Sequence, residues 1–488
     1  MSKRDDKAPY WRSAVASRAH VVIDAADYYE VMRAAMLKAE QRIMLVGWDF
    51  DTRIPLTFKR RKAGDPPKRL GEFILWLAER RPELEIRILK WNFGAMKLFG
   101  RGRALIDVAR WAGRKNIDFK LDSAHPFGCS HHQKIVVIDD SFAVCGGIDM
   151  TQDRWDTRDH LDDDRHRRRP DGTPYGPWHD ATMLVEGDAA AALAELARDR
   201  WVVAGGEALA PCTPSPTTAW PDHVDAEFRD ILVGIARTRA AHQDHGAIRE
   251  IEQLFLAQIA GARHFIYAEN QYFASRKIAE AIAVRMAEAD PPEIFIVAPQ
   301  TADGWLEQKA MDGARVQLLR AIGEKDHRDR FSIYYPVTSG GAPIYVHSKL
   351  MIVDDRILRV GSANMNNRSL GLDSECDLSM TAANDADAAT IAALRLSLLA
   401  EHIGLDTETT AKRLNRLGSM RALADSVTAG RRLMRLDLKD LSAEEQALAD
   451  NAMLDPEKPE DLFEPMTSPG LFSASGILRR PRGNRERR

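Results

Sequence analysis

The chain has 488 residues, of which 44% are hydrophobic, enough for two or three packed domains and too apolar for a disordered protein. Lys and Arg number 69 against 72 Asp and Glu, and a net charge of −3 excludes the overall basic field of a non-specific nucleic-acid binder. Four cysteines (Cys129, Cys145, Cys212, Cys376) form no C-x-x-C pair or secreted framework, which predicts reduced thiols in a cytoplasmic setting.

In chain order, the charged N-terminus MSKRDDKAPYWRSAVASR lacks a following apolar stretch, and no eighteen apolar residues run together, so neither a cleaved signal nor a spanning helix is expected. Apolar periodicity predicts a helix over 25–40, a strand over 42–48, a helix over 71–79 and a strand over 85–89. Then comes SHHQKIVVID, an apolar strand Ile135–Ile138 with two histidines and a lysine at its mouth. The order repeats later, with a helix over 247–262, a strand over 264–268, a helix over 278–289, a strand over 293–297 and then VHSKLMIVD. Alternating strands and helices imply an α/β fold, and the repetition implies two similar lobes with mixed, largely parallel sheets, related by a pseudo-twofold axis. The Pro, Gly, Ser and Thr of GGEALAPCTPSPTTAWP mark the boundary. The expected division is 1–205, 206–405 and a charged extension 406–488. That extension ends in RRPRGNRERR, whose arginines could meet anionic headgroups or serve only as a solubilising tail.

The repeat carries the chemistry. His132, Lys134 and Asp139 recur at the same spacing as His347, Lys349 and Asp354, and each frame is followed by a small-residue turn, Gly146-Gly147-Ile148-Asp149 or Gly361-Ser362-Ala363-Asn364. One isolated copy reads equally well as a strand end with solvated charges; two matched copies do not. On a strand, i and i+2 share a face, so each His projects with its Lys, while the Asp has opposite parity and a structural or orienting role. His131 points away from His132 and stays outside the chemistry. Two lobes brought together give one site with two imidazoles, two ammonium groups and the turn residues. That set suits a phosphodiester: one neutral His attacks phosphorus, the other donates a proton to the leaving oxygen, and the lysines stabilise the equatorial oxygens. Gly147, Asp149, Ser362 and Asn364 are expected near the phosphate, although a carboxylate at Asp149 would repel it and could instead hold a lysine or a substrate hydroxyl. This chemistry requires no cofactor and no metal. Asp162-Asp163-Asp164 beside Arg165-His166-Arg167-Arg168-Arg169 reads as a self-neutralised loop.

The paired frames resemble the phospholipase D superfamily, marked by a duplicated H-x-K-x-x-x-x-D motif with a G-G or G-S turn. The resemblance covers about Ile43 to Ser379. Gly47-Trp48, Glu269-Asn270-Gln271-Tyr272-Phe273, Arg154-Trp155-Asp156 and Pro177-Trp178-His179-Asp180 look like the phosphatidylcholine-type enzymes. It implies a phosphohistidine intermediate, with His132 as nucleophile and His347 as acid and then base. Asp180 and Glu375 stand where imidazole-orienting acids are expected. It further implies a glycerophospholipid substrate, a water or alcohol acceptor, phosphatidic acid as product and peripheral contact with a membrane, for which Tyr10, Trp11 or Trp155 are candidate anchors. The lipid-targeting domains that precede the catalytic part in long eukaryotic members have no counterpart before residue 43, which leaves membrane contact to the body or the tail. A cardiolipin-synthase-like transfer uses the same intermediate. A metal-independent nuclease is the reading from another class, disfavoured by the near-neutral charge; no nucleic-acid partner is expected.

Overall fold

The computed structural model describes residues 9–92, 102–301 and 315–436; the terminal arginines from Arg479 lie outside the described residues. The first half consists of β1 (Arg12–Ile23), α1 (Ala25–Lys38), β2 (Arg42–Gly47), α2 (Leu70–Arg80), β3 (Glu85–Trp91), α3 (Gly102–Ala112), β4 (Ile117–Asp122), β5 (Ile135–Ile138), β6 (Phe142–Gly146), β7 (Trp178–His179), β8 (Ala181–Gly187) and α4 (Asp188–Val203). The second half begins with β9 (Phe228–Arg239), β10 (Ile248–Arg249), α5 (Glu250–Gly261), β11 (Phe265–Asn270), α6 (Arg276–Met286), β12 (Glu293–Val297) and β13 (Phe331–Val337). It continues through β14 (Tyr345–Val346), β15 (Lys349–Val353), β16 (Ile357–Gly361), α7 (Asn367–Gly371), β17 (Glu375–Thr381) and α8 (Asp385–Ile403), then α9 (Thr407–Leu417), α10 (Met420–Asp425) and β18 (Arg432–Arg435).

One sheet carries both halves. Its path runs β4-β3-β2-β5-β6-β8-β1, then β9-β17-β16-β15-β11-β12-β13-β18, with β10 added to β9. Outward from the β1/β9 junction the two halves have the same order, each His-Lys frame leading into the same strand of its copy. The junction is antiparallel, from Arg12 opposite Ile235 to Ala19 opposite Phe228. Parallel pairing is confined in this sheet to β2-β3-β4 and β11-β12-β13, where helical crossovers permit it. Between those outer trios the ladders are antiparallel.

Buried strands need both faces covered. Along α1, Tyr28, Val31, Met32, Ala35 and Met36 fall at helical spacing and join a core with α2. Helices α5 and α6 do the same for the second half. The core under α4 and α8 is continuous across the halves and includes Val21, Met183, Trp201, Ile235, Tyr267 and Leu399.

The motif aspartates explain the hairpins. Asp139-Asp140 and Asp354-Asp355 all have positive φ, from 51° to 54°, a region where Asp is tolerated better than most residues. They form matching turns, closed by the Ser141 N–H to Ile138 O and the Arg356 N–H to Val353 O. The Asp139 carboxylate accepts the amides of Glu40, Gln41 and Arg42 at 2.7–2.8 Å, and Asp354 accepts those of Arg263, His264 and Phe265 at the same distances. Each therefore clamps the chain as it enters β2 or β11.

Three features depart from the sequence-based picture. The long strands β1 and β9 that join the halves were not anticipated, and residues 407–436 are no free appendage: α9 and α10 lead to β18, which pairs with β13. The His-x-Lys triplets also sit just ahead of the ladders or at their first rung, since β5 starts at Ile135 and β15 at Lys349. Strand parity alone therefore does not set their direction.

Replacing Asp139 or Asp354 by Ala removes a charged acceptor from three amides and places a Cβ without polar compensation at positive φ. The expected loss is about 2 kcal/mol of unfolding free energy in urea titration for either variant. A loss below about 0.5 kcal/mol would refute the clamp.

Candidate active site

Each His-Lys triplet is stitched to the opposite half. Around His132, the Ser130 N–H donates to Asp373 Oδ1 at 2.7 Å, the His132 N–H to Ser374 O at 2.9 Å and the Ser374 N–H to Ser130 O at 3.0 Å. Around His347, β14 runs parallel to β7, and the His347 N–H donates to His179 O at 2.8 Å. The residues before β17 thus flank His132, and those before β8 flank His347.

This crossing delivers the carboxylates. His132 Nδ1 lies 3.0 Å from both oxygens of Glu375, and His347 Nδ1 lies 2.7 Å from Asp180 Oδ2. Gly146 pairs with Thr182 and Gly361 with Asp377, so Asp180 and Glu375 occupy the same register position, two residues earlier, in the two copies. With Nδ1 engaged, Nε2 is the nitrogen left to each imidazole for a substrate. Glu375 is itself held by the hydroxyls of Ser362 and Ser369.

The lysines are anchored at the same depth. Lys134 Nζ donates to His132 O at 3.0 Å and stands 3.3 Å from Asp149 Oδ2, whose companion oxygen accepts the Trp48 N–H. Lys349 Nζ donates to His347 O and, at 3.0 Å, to Gln271 Oε1, and Asn364 Nδ2 reaches the same oxygen at 3.4 Å. The four turn residues thus have different surroundings. Asp149 is occupied by a lysine and two amides, and Asn364 faces the lysine side with its Oδ1 unbonded. The Gly147 amide is spent on Ala181 O and the Ser362 hydroxyl on Glu375, so neither offers those groups to a phosphate. Gly147 has a steric role instead: a Cβ there would lie 2.1 Å from Asp180 Oδ1.

Burial and the two lysines both oppose a charge on the imidazoles, so His132 and His347 are held well below the ordinary histidine range. Burial pushes Lys349 down to about 7, Glu375 up to about 8 and Asp180 up to about 6. Burial thus opposes a charge on the two imidazoles, on Lys349 and on both carboxylates alike.

Several neighbours had no assigned role from sequence. Trp178 stacks on Tyr345 at a centroid separation of 4.6 Å and lies tilted 5.2 Å from the His347 ring, with the Arg154 guanidinium 4.2 Å over its own ring. Beneath lies a buried network of Asp24, Asp156, His160, His179, Glu269, Glu401 and His402. His131 is buried and bonds Ser374 Oγ at 2.7 Å. The tripeptide Trp178-His179-Asp180 was a visible signal, but only its Asp had been given a role.

Fold and site define a duplicated α/β protein in which each copy supplies one His-Lys pair and the carboxylate for the other copy's histidine. The chain belongs to the phospholipase D family: the family described as Phospholipase D matches residues 35–281 and 308–428. Among curated proteins it is 27% identical over 401 residues to phospholipase D alpha 1 of Brassica oleracea var. capitata, covering 57% of this chain and 50% of that protein. It is 26% identical over 464 residues to phospholipase D A of Dictyostelium discoideum, covering 78% of this chain and 35% of that one. The chain thus spans half or less of the length of these two relatives. In fold it is similar to phosphatidylserine synthase of Haemophilus influenzae, with a TM-score of 0.55 at 12% identity over 84% of this chain and 95% of that one.

Gly147→Ala is expected to drive Asp180 away from His347. A crystal structure of the variant should show the 2.7 Å contact broken, with stability reduced by about 1–3 kcal/mol. An unchanged contact would mean that the glycine is not what admits Asp180.

Proposed function

We propose that the protein is a phospholipase D-type phosphodiesterase and phosphatidyltransferase that acts on glycerophospholipids. The observation that carries this reading is the crossed pair His132–Glu375 and His347–Asp180, flanked by Lys134 and Lys349. Similarity to plant and amoebal proteins named phospholipase D favours a lipid over a nucleic acid.

In this mechanism His132 Nε2 attacks phosphorus and the bond to the headgroup oxygen breaks. The His347 imidazolium gives its Nε2 proton to that oxygen, releasing the alcohol and leaving a phosphohistidine. Neutral His347 then takes a proton from water or an acceptor alcohol, whose oxygen attacks phosphorus and frees His132. Glu375 holds the His132 ring and stabilises the positive charge it gains on phosphorylation, and Asp180 does the same for protonated His347. Lys134, Lys349 and Asn364 stabilise the equatorial oxygens. Asp139 and Asp354 act on the frame through the hairpins. Among the described residues no single helix is long and apolar enough to cross a membrane, and the proposed mode is peripheral attachment to a bilayer from the cytoplasmic side.

The test incubates the purified chain with phosphatidylcholine and phosphatidylglycerol vesicles and ethanol, with lipids resolved by mass spectrometry. Phosphatidic acid and phosphatidylethanol are expected, reduced about 10³-fold or more by His132→Ala or His347→Ala and roughly 10²-fold by Glu375→Gln or Asp180→Asn. Cardiolipin instead would favour transfer to a second lipid. No lipid product, with cleavage of an oligonucleotide, would overturn the lipid reading.

The acidity of Lys349 sets a pH limit. Its ammonium is lost from the free protein as pH rises through about 7, so kcat/KM for the anionic diester should fall above that value. Lys349→Met should lower kcat/KM and abolish that limb, and a limb unchanged in the variant would assign it to another group.

A further inference from the structure

The buried network behind the active site has the composition and geometry of a metal centre. Asp24, His160, His179 and Glu401 each present one ligand atom, all within 4.8 Å of one another. The side chains are at most 2% exposed. Glu401 Oε1 lies 3.0 Å from His160 Nε2 and 2.9 Å from His179 Nδ1, while Asp24 Oδ2 lies 3.5 Å from His160 Nε2 and Asp24 Oδ1 3.2 Å from His179 Nδ1. A tetrahedron with bonds of about 2.0–2.1 Å has edges of roughly 3.3 Å.

Three further observations separate this cluster from an ordinary ion-pair network. His179 Nδ1 and Asp24 Oδ2 are fully buried and make no well-aligned hydrogen bond, although oxygens of Glu401 and Asp24 lie 2.9 and 3.2 Å from His179 Nδ1. The outward nitrogens of both histidines meet carboxylates: His160 Nδ1 is 3.0 Å from Asp156 Oδ2 and His179 Nε2 is 2.8 Å from Glu269 Oε2. That arrangement fixes the tautomer of a metal-bound imidazole, with its outward N–H donated to an acid. Lastly, Asp24, Asp156, Glu269 and Glu401 bring four negative charges, and the ion pairs of Arg158 with Glu401 and Arg167 with Asp156 answer two. The remaining two match one divalent cation, or two protons held as imidazolium ions.

We propose that Asp24, His160, His179 and Glu401 bind one structural divalent transition-metal ion of the zinc class. Two imidazoles disfavour Mg²⁺ and Ca²⁺, which prefer all-oxygen shells. The ion would tie the first half to α8 of the second, because Glu401 alone comes from that side. It also borders the catalytic floor: Asp24 Oδ1 accepts the Asp180 N–H at 3.0 Å, and Glu269 accepts the hydroxyl of Ser348, between His347 and Lys349. The ion supports these groups and takes no part in the phosphoryl chemistry. The competing occupant is a pair of protons. Burial opposes charge on His160, yet Asp24, Asp156 and Glu401 would hold it up to about 9 without a metal.

The test uses the full chain, expressed in zinc-supplemented and zinc-depleted medium. Metal content is measured after gel filtration in EDTA, and coordination by X-ray absorption. The expected result is about one zinc per chain, a first shell of nitrogen and oxygen at about 2.0 Å, and a Tm several degrees lower for the depleted protein. Glu401→Gln and His160→Gln should lose the ion. If either fails to fold, the comparison of the two wild-type preparations still decides. Less than 0.1 zinc per chain from supplemented medium, with the same Tm in both preparations, would overturn the site in favour of the protonated pair.

Discussion

Four cationic or proton-binding side chains are buried together where the halves meet, and the rest of the structure depends on making that burial tolerable. His132, Lys134, His347 and Lys349 lie within a single electrostatic neighbourhood, each imidazole being lowered by lysines of both copies. Isolated charges at such depth cost several kcal/mol each unless they are paired. Glu375 and Asp180 meet that requirement by crossing from the opposite half, and the backbone stitches at Ser374 and His179 make the crossing obligatory. Neither half is therefore complete alone. The β1/β9 junction and the core shared under α4 and α8 hold the complement in place.

Duplication solves a second problem, that of register. Each frame must deliver its His and Lys at the mouth of a short strand while the next strand returns a carboxylate. The Asp turns fix the hairpin and, through three amides, the strand on its other side. Gly147 then lets the returning Asp180 approach, whereas at the matching position the Ser362 hydroxyl holds Glu375. One device used twice gives two rings equivalent positions, but the walls differ: Asp149 restrains Lys134 where Asn364 and Gln271 surround Lys349. That difference gives chemically inequivalent halves to a site that needs a nucleophile and an acid.

Much of this was legible in the sequence because the frames repeat with full spacing and because His, Lys and Asp have few reasons to recur together. The helices over 25–38 and 250–261 and the strands at 42–47 and 293–297 followed from apolar periodicity. What sequence could not supply was pairing. Strands β1 and β9 mix polar and apolar residues because part of each is only half buried, so neither stood out as the centre of a sheet. The partner of each imidazole lies far along the chain and in the other copy, and no local pattern encodes a crossing. Gly147 and Ser362 were read as phosphate contacts from their place in the turn, whereas packing against Asp180 and Glu375 decides their use. His160, Glu401 and His402 gave no signal, being scattered residues that only the fold assembles.

In the free protein the buried site opposes a proton on either histidine. A general acid needs a proton, yet Lys349, Arg154 and Lys134 add to burial in keeping His347 neutral when nothing is bound. In the proposed reaction an arriving phosphodiester would bring one negative charge between the lysines and offset part of their positive field. In that reaction Lys349 would retain its ammonium, and His347, 2.7 Å from Asp180, would gain the proton it gives to the leaving oxygen. Opposite it, His132 attacks through Nε2 in the proposed reaction while its Nδ1 proton is donated to Glu375, so the attack needs the Glu375 carboxylate, which burial opposes and Lys134 favours. On this reading the substrate's own charge completes the acid–base pair, and the cations proposed to bind the phosphate are those that oppose a charged histidine in the free protein.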